Sequence, residues 1–100
     1  MKDTEKFNFE PQMNKEKIEE MLASANPKAL RLEPNATFDR AILGVASDGR
    51  IVYSENKILL ALQDVDGMDY DEALEWYEYN TARGIAYAGR YAPIIVTQEP

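Results

Sequence analysis

The chain has no cysteine and no histidine. Without cysteine there is no disulfide framework and no thiolate nucleophile. Without histidine the commonest general base and the commonest metal ligand are missing, and zinc loses both of its usual ligand types. No apolar run approaches the roughly 20 residues of a membrane span. The N-terminus lacks the apolar stretch of a signal peptide, so the chain reads as cytoplasmic. Base is scarce as well: 11 Lys and Arg stand against 18 Asp and Glu, a net charge of −7. That balance lacks the basic footprint of a DNA-binding domain, so direct nucleic-acid binding is not expected. It favours solubility and basic partners.

What is present fits one small globular domain: 100 residues, 45% hydrophobic. A core is feasible at this length, and oligomerisation would add to it. The charge is unevenly placed. Seventeen of the acids precede residue 79, whereas residues 79 to 98 carry Arg83 and Arg90 and no acid. An acidic flank and a mildly basic one are expected.

Residues 1 to 13, with Phe7 and Phe9, read as a loose arm. Asn14 is placed to cap a helix running to about Ala25, with Ile18, Met21, Leu22 and Ala25 as its apolar stripe. Asn26-Pro27 stops it, and a linker reaches residue 37, tacked down by Leu30 and Leu32. The core follows over 38 to 100. Ala41 to Ala46 and Ile51 to Tyr53 read as a hairpin around a two-residue Asp48-Gly49 turn of type I′. In that register Val45 faces Val52 and Gly44 faces Tyr53. Leu43, Val45 and Val52 then share one sheet face, and Ile42, Ile51 and Tyr53 the other. Both faces are apolar, so both need cover, one of them from the N-terminal helix or a second subunit.

Ser54 is placed to cap a helix over about 55 to 65, with Ile58, Leu62 and Val65 as its stripe. A second helix is expected from Tyr70 to Arg83, with Gly84 as its left-handed C-terminal residue. Ile94 to Val96 reads as a third strand. The expected fold is α+β: a three-stranded, mainly antiparallel sheet with two packed helices and an additional N-terminal helix.

Residues 64 to 78 hold seven acids and no base. Alignment with a calcium-binding loop through Gly67 puts Asp64 and Asp66 at positions three and five. Positions one and twelve then fall on Leu62 and Ala73, which offer no oxygen side chain, so the calcium loop is rejected. The plainer reading is a helix start. Asp69 caps, Glu72 completes a capping box, and Asp71, Glu72 and Glu75 sit at the positive end of the helix dipole. No cofactor or metal is expected.

On the second helix, Tyr70, Leu74, Tyr77 and Thr81 share one face, and Glu72, Trp76, Tyr79 and Arg83 the opposite one. Trp and Tyr beside Arg is the composition of an interface hot spot. The alternative is that Trp76 and Tyr79 pack against the N-terminal helix or bury a second small core. Asn80 has poor helix propensity and, if buried, needs a hydrogen-bond partner such as a strand backbone. Further on, Arg83 and Arg90 with Tyr87 and Tyr91 can hold an anion, or the segment is a connection from helix to strand whose arginines answer the acidic flank. The candidate binding residues are thus Trp76, Tyr79, Arg83, Tyr87 and Arg90. Catalysis finds little support, because Ser47 and Ser54 have no histidine to act as base and the acids look solvated.

One pattern is larger than any of these motifs. It runs Phe38-Asp39, Ala41-Ile42, Gly44-Val45, then Asp48-Gly49-Arg50, Val52-Tyr53, Lys57, then Asp66-Gly67-Met68, Tyr70, Glu72-Ala73, Glu75, then Tyr79-Asn80-Thr81 and Ala92-Pro93-Ile94. These residues resemble a small family of uncharacterised phage and prophage proteins, over about residues 26 to 97. The family has no assigned activity and no catalytic residues to carry over. The resemblance implies a short accessory phage protein. Such a protein would act on a host or phage protein as inhibitor or adaptor. The alternatives are a binder that sequesters a nucleotide, or an assembly protein. A homodimer is expected, because two apolar sheet faces leave surface to bury.

Overall fold

The computed structural model describes residues 15–97. The arm over 1–13, the Asn14 cap and Glu99 lie outside them. Helix α1 spans Lys15–Leu22, and a short helix α2 (Asn35–Phe38) runs into a 3-10 turn at Asp39–Ala41. Strands β1 (Ile42–Val45) and β2 (Ile51–Ser54) lead to helix α3 (Glu55–Asp66). Helix α4 (Tyr70–Tyr77) continues through a π-helical turn at Glu78–Ala82 into α5 (Arg83–Ile85). A 3-10 turn at Gly89–Tyr91 precedes β3 (Ile94–Val96). Among these elements no helix is long and apolar enough to cross a membrane.

The architecture is α+β, and the sheet is mixed rather than mainly antiparallel. Its order is β1-β2-β3. β1 and β2 form the expected hairpin, but β3 pairs parallel to β2, Val52 with Ile94 and Tyr53 with Ile95. The helices cause this. After β2 the chain crosses back through α3, α4 and α5, as a parallel pairing requires. Arg50 then fastens the entry to β3, its Nε donating to the Ala92 carbonyl at 2.8 Å.

The hairpin register also differs from expectation. Val45 pairs with Ile51, Gly44 with Val52 and Ile42 with Tyr53, with an irregularity between Ile42 and Gly44. The loop has three residues, not two. The Gly49 N–H donates to the Ala46 carbonyl and the Ala46 N–H to the Arg50 carbonyl, both at 2.8 Å. Gly49 sits at φ 89°, the left-handed residue that closes a three-residue hairpin. A second constraint holds it there: a Cβ on Gly49 would lie 2.8 Å from the backbone nitrogen of Asn26. The Asn26 N–H donates to the Gly49 carbonyl at 2.9 Å, so the hairpin tip is stitched to the chain leaving α1.

The changed register decides the faces. Ile42, Ile51 and Tyr53 are buried together, as expected, and Val45 pairs with their side of the sheet rather than with Val52. α3 lays Ile58, Leu59 and Leu62 on this core, and α4 adds Ala73 and Tyr77. α1 contributes Ile18, with Met21, Leu22 and Ala25 packed beside it, so the expected stripe is present. That helix joins the inner core and does not cover the outer face. There Leu43 is 40% exposed, and Val52 and Ile94 are half-buried.

Local chemistry accounts for most element ends. The Ser54 hydroxyl accepts the Lys57 N–H at 3.1 Å, and Gly67 ends α3 in the left-handed region at φ 71°. Val65, expected on the buried stripe, is exposed in the last turn of α3. Gly84 is helical, and the left-handed glycines are Gly49, Gly67 and Gly89. The expected linker holds more structure than foreseen. Pro34 stands as the N-cap of α2 with its φ preset near the helical value. Arg31 grips Asp39 through two bonds, 3.1 and 2.6 Å, and this raises the pKa of the guanidinium. The Leu32 N–H donates to the buried Tyr53 hydroxyl at 2.8 Å, while Leu30 is exposed.

Candidate functional site

The acidic turn and the aromatic helix form one groove. α3 ends at Gly67, the chain turns, and Asp69 restarts it as α4. The capping box is complete: Asp69 Oδ1 accepts the Glu72 N–H at 2.8 Å and Glu72 Oε1 accepts the Asp69 N–H at 2.9 Å. The turn thereby lies against the outer face of α4. Between them is an open groove of about 590 Å³ lined by Asp66, Gly67, Met68, Glu72, Glu75, Trp76, Tyr79 and Asn80.

Trp76 forms the fixed wall of this groove. It is half-buried, its ring 6.3 Å from that of Phe38, which is buried in the core. Its ring contact is thus with α2. Tyr79 is held in turn, with the Arg83 guanidinium 4.9 Å from its ring centroid. Tyr79 is nevertheless 68% exposed, and Tyr87 is 90% exposed. Trp76 and Tyr79, coupled as buried or exposed in the sequence reading, part company here.

Arg90 stacks on a different ring, 5.7 Å from the centroid of Tyr91. Neither Arg83 nor Arg90 meets an acid among the described residues, so the expectation that they answer the acidic flank is not met. Of the five candidate residues, the structure brings Trp76 and Tyr79 into one groove and sets Arg83 against its rim. Tyr87 and Arg90 line neither this groove nor the cleft between the 30–33 segment and α5.

The helix is not regular at this point. The Arg83 N–H reaches the Glu78 carbonyl five residues back, which defines the π turn. Such turns leave a carbonyl short of its usual partner and recur at functional sites. Here the Asn80 side chain donates to the Trp76 carbonyl at 3.1 Å. Asn80 is exposed, and its partner is the helix itself rather than a strand. On the inner side Tyr77 and Thr81 are buried, as the helical face analysis expects, while Tyr70 at the first turn is exposed.

The acids divide by partner. Asp64 is paired with Arg40 at 2.8 Å, and Asp69 and Glu72 are engaged in the cap. Asp66 and Glu75, both lining the groove, have no hydrogen-bond or ion-pair partner among the described residues. Among those residues no three acids converge as metal ligands. The sequence reading missed Met68, Asp66, Glu75 and Asn80 as groove residues. The signal was available: Met68, Glu72, Glu75, Trp76 and Tyr79 follow helical spacing, so the outer stripe continues back into the turn. Comparison of the chain with family models, with curated proteins and with solved structures gives no match in any of the three.

Proposed function

We propose that this chain is a non-enzymatic protein-binding module, an inhibitor or adaptor of the phage accessory kind, and that the outer side of α4 and α5 is its contact surface. One observation carries the reading. Trp76 and Tyr79, with Arg83 stacked on Tyr79, stand on the outer side of a helix whose inner side is already packed, and Tyr87, in the turn after α5, is 90% exposed. Aromatic side chains and arginine supply large contact area at low entropic cost and dominate interface energies. A nucleotide is the poorer ligand, because the groove beside Trp76 is lined with carboxylates that repel phosphate.

The test is capture from bacterial lysates with wild-type protein and with the Tyr79→Ala/Tyr87→Ala double variant. A partner retained by the wild type and lost by the folded variant is the expected result. A partner retained equally by both refutes this surface. Self-association belongs to the same reading: Leu43, Val52 and Ile94 form an apolar outer sheet face that a second copy would cover. Light scattering that gives a clean monomer at high concentration refutes the homodimer.

A further inference from the structure

We infer that the groove beside Trp76 receives an arginine side chain from a basic segment of the partner protein. This rests on the interaction reading above and names the chemistry of what is bound. The groove has three carboxylates on its lining and no base. Glu72 is partly spent, one of its oxygens accepting the Asp69 N–H. Asp66 and Glu75 are not spent, having no partner among the described residues. Elsewhere the molecule answers acids with its own arginines: Arg31 holds Asp39 at 2.6 Å and Arg40 holds Asp64 at 2.8 Å. In the groove, unanswered charge stands beside an aromatic wall.

The aromatic walls select the kind of cation. A guanidinium stacks flat on an indole or phenol face while its N–H groups fork onto carboxylates. Tyr79 already accepts one, that of Arg83 at 4.9 Å. Arg83 does not line the groove, so it braces Tyr79 from outside and leaves the space beside Trp76 free. Phe38 fixes Trp76 from behind, so the site is organised before anything binds. Lysine, a compact point charge, matches this combination of flat wall and forked acceptors less well.

Trp76 is the single tryptophan of the chain, so its emission reports the groove directly. The probes are three blocked pentapeptides in which glycine alternates with arginine, with lysine or with citrulline, the neutral isostere of arginine. The arginine peptide is expected to change Trp76 emission saturably, with binding that weakens as salt rises. The citrulline peptide is expected to bind at least about tenfold more weakly. Glu75→Gln and Asp66→Asn are each expected to weaken arginine-peptide binding about threefold to tenfold. Asp71→Asn, an exposed acid outside the groove, is expected to leave it unchanged. The inference is overturned if citrulline or lysine binds as tightly as arginine. It is equally overturned if Asp71→Asn costs as much as Glu75→Gln, or if Trp76 emission in folded protein does not respond at about 10 mM peptide, a concentration beyond weak binding. If the arginine peptide fails while a captured partner still depends on Tyr79 and Tyr87, the inference falls and the interaction reading stands.

Discussion

Tyr77 and Tyr79 are two residues apart on one helix. Tyr77 is 3% exposed and Tyr79 is 68% exposed. The inner side of α4 meets a layer already built by α3 and the sheet, and there Tyr77 joins Ala73, Ile58 and Leu62 in one core. Among the described residues the outer side meets the acidic turn and, at its edge, α2, so Trp76 finds Phe38 and Tyr79 finds Arg83. The difference teaches that residue type did not decide burial here. What decided it was whether a second layer stood opposite. The inner side holds the fold together, and the outer side is available for contact.

The sharpest way to break this comparison is to truncate one residue on each side. Leu62→Ala, in the fully buried layer, is expected to cost about 2 to 5 kcal/mol of stability by denaturant titration. Tyr87→Ala, at 90% exposure, is expected to change stability by no more than about 0.5 kcal/mol. Equal losses would mean that the outer side is structural after all. The next effect in size concerns the hairpin tip. Gly49→Ala combines a left-handed φ of 89° with a Cβ at 2.8 Å from the Asn26 backbone. It is expected to cost about 2 kcal/mol or more, again by denaturant titration. A loss under about 0.5 kcal/mol would show that the contact between the tip and Asn26 yields easily.

The smallest effect is read from pH. Burial pushes the Tyr53 and Tyr77 hydroxyls up from 10.0 to about 12, with nearby Glu55 and Glu78 adding to the shift at Tyr77. A group whose pKa is raised by folding stabilises fully below its unfolded pKa and loses that contribution as pH rises through the folded value. Stability is therefore expected to hold up to about pH 10 and fall between there and about pH 12. Tyr77→Phe removes one of the two titrating groups and should make this alkaline fall shallower in thermal melts. An unchanged slope would show that ionisation of Tyr77 is not coupled to folding.

Much of the inner side was legible in the sequence. The stripe from Ile18 to Ala25, the Ser54 cap, the Asp69–Glu72 capping box and the buried set Ile42, Ile51 and Tyr53 all follow from local spacing. What escaped was settled by contacts distant in sequence. The hairpin has a third loop residue, and its tip is bonded to Asn26, 23 positions back in the chain. The third strand runs parallel because of where α5 delivers it, which no local pattern of Ile94 to Val96 encodes. Helix α2 was hidden because two prolines read as a linker, although Pro34 starts the helix. The groove was legible in part: its aromatic wall was marked, but the folding back of the turn at Gly67 was needed to add Asp66 and Glu75.

The parallel pairing of β2 with β3 carries a consequence in time. β1 and β2 can meet through a loop of three residues, whereas Val52 meets Ile94 only after every helix between them has been laid down. Closing so long a loop costs chain entropy that is recovered late, and contacts of this kind slow folding. Loop closure alone therefore favours the hairpin as the earlier pairing and the third strand as the later one. Because α4 and α5 lie within that crossover, the surface proposed for a partner is carried by the same stretch of chain that closes the sheet.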